Sequence, residues 1–600
     1  MFHMSLGWAG HGSKWLRPGG AGSPEVEYGD TVDQNKDDVM ADLNEIAVIG
    51  NQGKVYGGIG GSNQGIDFNS ATNRDPNLNT AGGFKDDSQL HKSTIGEGER
   101  VDAHHEEVLF MDTKRRRPNG EIDNAEINLA KKIIRMISTR KQRVMVVPCP
   151  AQGHVKPLVL FSHKLAQHGF RITFVYTDFD HNRISTAMKD DEDDDDGDNN
   201  IEFVSIPDGL RPEDDRGDLG NLCKANLETI PAELEKLITT INGSSNNYEN
   251  NISCLVSDVY LGCAMEVATK LGIKGAVFCP SSAALLVHAR YIPNMVSQGI
   301  MDESDGTSIH KQIIQLSPNM PSINTEKFPW TIDGSTKQKR LFQVYFKACQ
   351  ASEIAEWCLC NTTYDIESSA LSLNPKFLSI GPLMANQANN SSDIPGSQFW
   401  AEDSSCLNWL DQQKPCSVIY IAFGSLTIHD NTQILELARG LELIGKPFLW
   451  VVRPGFVSGD LEHEFDPLRI LGNNNFGKLV SWAPQQKVLS HPSIACFVSH
   501  CGWNSTIEGL SNGVPFLCWP YFGDQFLDKA YICDVWKVGI ELEPSESGII
   551  LSQEIEIKVN KLLGDEEIRK KSIQLKEMIL KNIAKDGQSS KNLDKFIKCG

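Results

Sequence analysis

Phe497 to Gln525, FVSHCGWNSTIEGLSNGVPFLCWPYFGDQ, contains two strand-like runs that close on polar clusters, HCGWNS and GDQ. ACFVSH reads as a strand ending at a ligand edge, Cys501 and Gly502 as a turn, and WNSTIEGLSNG as a helix. Asn504 and Ser505 are helix-starting types, Gly502 lets backbone approach closely, and free N–H groups at a helix start attract phosphate. The strand, turn and helix together read as a diphosphate cradle. His500 adds a donor to a phosphate oxygen, and Glu508, in the first turns of the helix, accepts both hydroxyls of a ribose.

Taken alone, HCGWNS fits an ordinary helix cap with a core histidine equally well. Its company changes the balance. Upstream, SWAPQQKVLSHP offers Trp482, whose face suits a flat base, and Gln485 beside it; base–aromatic stacking is worth on the order of 1 to 3 kcal/mol. Downstream, WPYFGDQ ends a strand on Asp524 and Gln525, groups of the sort that fix sugar hydroxyls. Base, ribose, diphosphate and sugar each find a candidate partner in one segment. A second constellation lies earlier. PCPAQGHVKP places His154 in the loop after a first strand, and Asp258 stands at the carboxyl end of ISCLVSD, where doubly wound sheets bind ligands. A lone loop histidine is usually structural and a lone aspartate after a strand is usually a cap; two of them at strand ends of one sheet ask for a joint explanation.

The elements that must position these residues are α/β in pattern. RVMVVPCP is a buried-strand run, VKPLVLFSHKLAQHG puts Leu158, Phe161 and Leu165 on one helical face, and RITFVYT completes β-α-β. The alternation continues through ISCLVSD, LGCAMEVATKLG and GAVFC, pauses at the polar bridge MANQANNSSDIPGSQ, and resumes with CSVIYIAFGS, QILELARGLELIG and PFLWVV. Two polar runs, KDDEDDDDGDNN and NGSSNNYENN, read as solvated surface loops because like charges so dense repel. Residues 1–135, with GGIGGSNQGIDFNSATNRDPNLNTAGGF, lack helix or strand periodicity and read as a largely disordered extension. Met136 followed by ISTRKQ looks like a start of translation.

Composition narrows the class. A 600-residue chain that is 40% hydrophobic can bury real cores in several domains. A net charge of -21 argues against nucleic acid or an anionic membrane as partner, and KRRRP is a solvated charge cluster. No apolar run is long enough to span a membrane and no secretory signal opens the chain, so a cytoplasmic monomer is expected. The 15 cysteines are an odd number without repeating spacing, as expected of reduced thiols, and the Cys358, Cys360 pair lacks the neighbours of a metal site.

The block WAPQQKVLSHPSIACFVSHCGWNSTIEGLSNGVPFLCWPYFGDQ resembles the signature box of the plant secondary-product UDP-glycosyltransferases (family 1), and the resemblance covers Met136 to Gly600, including GHVKP, WLDQQKPCSVIYIAFGS and GPL. It implies a GT-B fold, two Rossmann-like doubly wound domains with a cleft between them. The acceptor-binding domain is placed at 136–383, a linker at 384–405, the UDP-sugar-binding domain at 406–575, and a C-terminal helix returning to the first domain at 576–600. It also implies donor contacts: Trp482 against uracil with Ala483 and Gln485 beside it, Glu508 on ribose, and His500, Gly502, Asn504, Ser505 and Ser425 at the diphosphate. Trp503, Asp524 and Gln525 fall at the sugar, and Phe522 is a further donor-binding residue. A final Gln accompanies glucose donors in this family, which points to UDP-glucose as co-substrate, with no cofactor and no metal. His154 and Asp258 match the catalytic pair of an inverting transfer. In that reaction His154 takes the proton of an acceptor hydroxyl and Asp258 holds the imidazole.

Two features depart from the family, the extension and the acidic run after Met188. Leu210 to Tyr345, with PSSAALLVHARYIP and FPWTIDG, is expected to wall the acceptor pocket and to suit phenolics such as flavonoids or other small lipophilic alcohols. A nucleotide-sugar epimerase of GT-B shape is disfavoured by the box and by GHVKP. A nonenzymatic UDP-sugar binder is disfavoured by the joint presence of His154, Asp258 and the whole donor box.

Overall fold

Arg143–Val147, RVMVV, forms strand β1 with every residue buried, the continuous apolar run expected of a parallel strand covered on both faces. In the computed structural model, which describes residues 142–187, 200–244, 250–332, 334–385, 394, 396–456 and 476–599, β1 is an interior strand of a seven-stranded sheet. The expected disordered extension at 1–135, the KRRRP cluster, the acidic run from Lys189 to Asp198 and part of the polar bridge lie outside the described residues.

The first sheet contains β2 (Arg171–Thr177), β3 (Ile201–Ile206), β4 (Ile252–Asp258), β5 (Lys274–Cys279), β8 (Trp357–Cys360) and β9 (Phe377–Ser379). Their order is β3-β2-β1-β4-β5-β8-β9, and every pairing is parallel. Between β5 and β8 a short antiparallel pair, β6 (Ile313–Ile314) with β7 (Ile323–Asn324), interrupts the series. The second sheet repeats the plan with β10 (Val418–Ala422), β11 (Phe448–Val451), β12 (Gly477–Val480), β13 (Ile494–Ser499), β14 (Phe516–Cys518) and β15 (Gly539–Glu541). Its order is β12-β11-β10-β13-β14-β15, again parallel throughout. This is an α/β fold of two doubly wound sheets.

Strand alternation decides which side chains share a core. Val144 and Val146 of β1 pack with Leu158, Phe161 and Leu165 of the helix Gln152–Gln167 on one face. Met145 and Val147 face a cluster that continues into Tyr420 of β10 and Phe497 of β13. Both sheets therefore contribute their inner faces to one apolar body. The last helix, Gln588–Cys599, lies on the outer face of the first sheet. Phe596 sits 5.9 Å from Phe161 and 5.8 Å from Trp357, and Asn592 donates to the Ser379 carbonyl at 2.8 Å.

Each sheet reverses its winding direction once, between β1 and β4 in the first and between β10 and β13 in the second. At such a point adjacent loops leave in opposite directions and open a crevice at the strands' carboxyl ends. The register pairs Val147 with Ser257 and Ala422 with Ser499. His154 and Asp258 follow the first pair; Ser425 and His500 follow the second.

Candidate active site

His154 is the third residue of the helix Gln152–Gln167. The loop expected there is shorter than its sequence suggests, because the helix starts at Gln152 although Ala151 offers no side-chain cap. His154 Nδ1 donates to Asp258 Oδ2 at 2.7 Å, and the other oxygen of Asp258 accepts the Tyr260 N–H at 2.9 Å. Asp258 is fully buried, whereas the His154 side chain keeps 28% exposure. With Nδ1 held by the carboxylate, Nε2 is the nitrogen left to exchange a proton with a ligand. Burial pulls the His154 pKa down, but the charge and hydrogen bond of Asp258, with a further contribution from Asp524, more than offset this and raise it. Tyr260 packs edge-on to the imidazole at 5.7 Å, and Tyr345 stands 5.3 Å from Tyr260, so the ground beside His154 is aromatic.

Pro157 lies inside the same helix. It has no N–H for the carbonyl one turn earlier, that of Gly153. The carbonyl is not left orphaned, since Asn504 Nδ2 of the second domain donates to it. GHVKP thus carries both a dyad member and a docking point for the other domain.

On the second domain, His500 follows β13 and is enclosed by glycines. A Cβ on Gly502 would lie 2.6 Å from His500 Nε2, and one on Gly424, whose φ is +69°, would lie 2.5 Å from the same atom. Burial lowers the His500 pKa to about 4, so at neutral pH the ring is uncharged and offers a hydrogen bond rather than a cation. Cys501 turns the chain at φ +66°, a left-handed conformation rare for residues with a Cβ. The helix Trp503–Asn512 then begins at Gly502 with no side-chain cap, leaving its first N–H groups for an anion. Ser425 is half-buried just past Gly424.

Inside that helix the polar groups are tightly connected. Gln485 Nε2 donates to Ser505 Oγ at 3.0 Å and to Glu508 Oε2 at 2.5 Å, while its own oxygen accepts from the Tyr420 hydroxyl at 3.1 Å. Trp482 is half-buried, stacks on Trp400 at 4.6 Å and points its N–H to Gln398 Oε1 at 3.4 Å; Ala483 beside it is buried. The Trp503 indole is buried and gives its N–H to the Asn361 carbonyl at 3.0 Å, so it fastens the two domains. Gln525 Oε1 accepts the N–H groups of Tyr521 and Phe522 at 2.7 and 3.1 Å, which shapes the loop around half-buried Phe522 and leaves the amide nitrogen for a ligand. Asp524 stands close enough to His154 for their charges to interact across the cleft. Burial raises its pKa to about 6 against the opposing effect of His154.

Sequence reasoning did not foresee Lys156 on Glu508, Trp400 under Trp482, or Tyr260 beside His154. Only the aromatic types of Trp400 and Tyr260 offered a signal.

Behind Asp524, Asp528 is fully buried, and burial together with the charge of Asp524 raises its pKa well above the ordinary range. An acid whose pKa is raised on folding holds its proton more tightly in the native state, so its contribution to stability falls as pH rises above the unfolded value, about 3.9. Asp528→Asn removes that cost and should raise the neutral-pH Tm by about 2–4 °C while flattening the decline between acid and neutral pH. Thermal unfolding at several pH values checks this; a lowered Tm at neutral pH would show that the ionised carboxylate is needed.

Two doubly wound domains that present their winding-reversal crevices to each other, with a histidine–aspartate pair on one side and an uncapped helix start on the other, define a GT-B enzyme. The family model for UDP-glucoronosyl and UDP-glucosyl transferase matches residues 382–597. UDP-glycosyltransferase 83A1 of Arabidopsis thaliana is 43% identical over 461 residues, covering 76% of this chain and 96% of that protein. The 7-deoxyloganetin glucosyltransferase of Catharanthus roseus is 31% identical over 480 residues, with 77% and 96% covered. The structure of Phytolacca americana UGT2 complexed with UDP-2fluoro-glucose and pterostilbene is 25% identical and superposes with a TM-score of 0.60 over 76% of this chain and 99% of that one. The chain belongs to the plant UDP-glycosyltransferase family and is a glycosyltransferase.

Proposed function

We propose that the protein transfers glucose from UDP-glucose to a hydroxyl of a small lipophilic metabolite, phenolic or similar, with inversion to a β-O-glucoside. The observation that carries this reading is the 2.7 Å His154–Asp258 pair at the first crevice, with Asp524 facing it from the second domain. His154 Nε2 accepts the acceptor hydroxyl proton as the oxygen forms its bond to the anomeric carbon, and the bond from that carbon to the diphosphate breaks on the opposite side. The electron pair leaves on UDP. The N–H groups at the start of the helix Trp503–Asn512, the neutral His500 ring, Ser425 and Ser505 receive the released charge as a preorganised field. In this reading that field serves without a metal. Trp482 takes the uracil, Glu508 the ribose, and Asp524 with Gln525 the sugar.

Glucose as the donor sugar is favoured by Gln525 and by the names of relatives that are glucosyltransferases. A phenolic acceptor is favoured by Tyr260 and Tyr345 beside His154 and by the pterostilbene bound to the related Phytolacca enzyme. Radiolabelled UDP-glucose offered with a panel of phenols and aliphatic alcohols tests this directly. Labelled glucoside with retained dependence on acceptor supports it; UDP release without any accepted acceptor would replace transfer with hydrolysis.

A further inference from the structure

His154 and Lys156 stand two positions apart in the first turns of one helix, so their side chains leave in different directions. His154 turns to Asp258 of its own domain; Lys156 Nζ crosses the cleft and donates to Glu508 Oε1 at 3.3 Å. Glu508 is only 2% exposed, and its other oxygen is held by Gln485. Among the described residues, Lys156 is the cation paired with this buried carboxylate. Asn504 and Glu508, four apart on the helix Trp503–Asn512, therefore present one face to Gly153 and Lys156. Two groups of the donor site are thus already engaged by the first turns of the helix that carries His154.

We propose that Lys156 is a donor-site residue that changes partner, neutralising Glu508 when no donor is present and turning to the diphosphate once ribose hydroxyls occupy Glu508. This rests on the UDP-sugar reading of the site. The ribose hydroxyls donate to Glu508 and take up its acceptor positions, and the Lys156 ammonium, which has only donors, then finds its acceptors on the diphosphate. The helix start where the diphosphate is placed, Trp503, lies five residues, roughly 7.5 Å along the axis, from Glu508. A lysine side chain with four rotatable carbons spans such a step without moving the backbone. The exchange replaces a partner of one negative charge with a more highly charged diphosphate. It also places the cation where negative charge accumulates as the glycosidic bond breaks, and ties occupation of the donor site to the helix that holds His154.

Calorimetric titration of the full-length protein with UDP and with uridine separates the roles. Lys156→Met should raise the UDP Kd about tenfold while uridine, which has no diphosphate, changes by less than about twofold. Lys156→Arg should stay near wild type for both ligands, and Lys156→Gln, which can still donate to Glu508, should resemble Lys156→Met for UDP. Equal UDP affinity in wild type, Lys156→Met and Lys156→Gln overturns the proposal, as does tighter UDP binding in either neutral variant, which would make Lys156 a plug. If wild type itself binds neither UDP nor uridine, the donor-site reading fails first and this inference with it. Thermal unfolding without ligand verifies each variant's fold, and a Lys156→Met protein that unfolds leaves Lys156→Gln to decide.

Discussion

Glucoside formation by His154→Ala is expected to fall about 10³-fold in kcat, with the UDP Kd within about twofold of wild type. The imidazole is the group whose free nitrogen can take the acceptor proton, and its position is set by one hydrogen bond of 2.7 Å to a carboxylate that has no exposure to solvent. Removing the ring leaves Asp258 with the Tyr260 N–H as its remaining partner. An unsatisfied buried acceptor of this kind costs roughly 1–3 kcal/mol, so Tm should drop while UDP binding, which in the proposed reading does not use the His154 ring, persists. Asp258→Asn should also reduce kcat, by about 10²-fold or more, because the amide no longer enforces the same tautomer. The double variant should be no slower than His154→Ala alone, since the two act as a unit. A His154→Ala enzyme that keeps wild-type kcat would sink the assignment of the base.

The pH profile gives an independent readout. A general base works deprotonated, so kcat/KM should be lost as pH falls through the pKa of His154, which lies above the ordinary histidine value because Asp258 and Asp524 outweigh burial. Asp258→Asn removes the stronger of those two influences. The acidic limb must then move to lower pH; if it stays in place, some other group sets it.

Much of the fold is legible in the sequence, and the physical reason is periodicity. Apolar runs such as RVMVV and IACFVS are long enough to be buried parallel strands, and amphipathic stretches of helical period separate them. Once the order of strands is doubly wound, the two crevices follow, and with them the neighbourhoods of His154, Asp258 and His500. The start of the helix at Gln152 is less visible. AQGH has a glycine and no capping side chain, and what sustains the turn is contact from afar: Gln152 binds the Ser397 carbonyl at 2.7 Å and accepts the Phe399 N–H at 2.7 Å. The Lys156–Glu508 contact joins residues 352 positions apart on helices of different domains. Local propensity carries no record of such a pair. The left-handed Cys501 is likewise opaque, because its conformation is imposed by the turn between β13 and the following helix.

Gly424→Ala should weaken UDP binding about 10²-fold, for a reason visible in the backbone. At φ +69° an alanine is strained whatever space surrounds it, and its Cβ would lie 2.5 Å from His500 Nε2. The neighbour it meets is the ring of His500, against which Gly502 also leaves no room for a side chain, since a Cβ there would come within 2.6 Å of the same atom. The ring must shift to admit the added Cβ, so it leaves the position from which it would face a phosphate oxygen. Gly272→Ala is the matched control. Its φ of +65° imposes similar backbone strain, but no atom lies within 4 Å of the added Cβ and it ends a helix in the first domain. That variant should lose about 1 kcal/mol of stability and keep its UDP affinity. If Gly424→Ala binds UDP as tightly as Gly272→Ala does, strain alone explains both variants and the placement of His500 between two glycines has no part in holding the diphosphate.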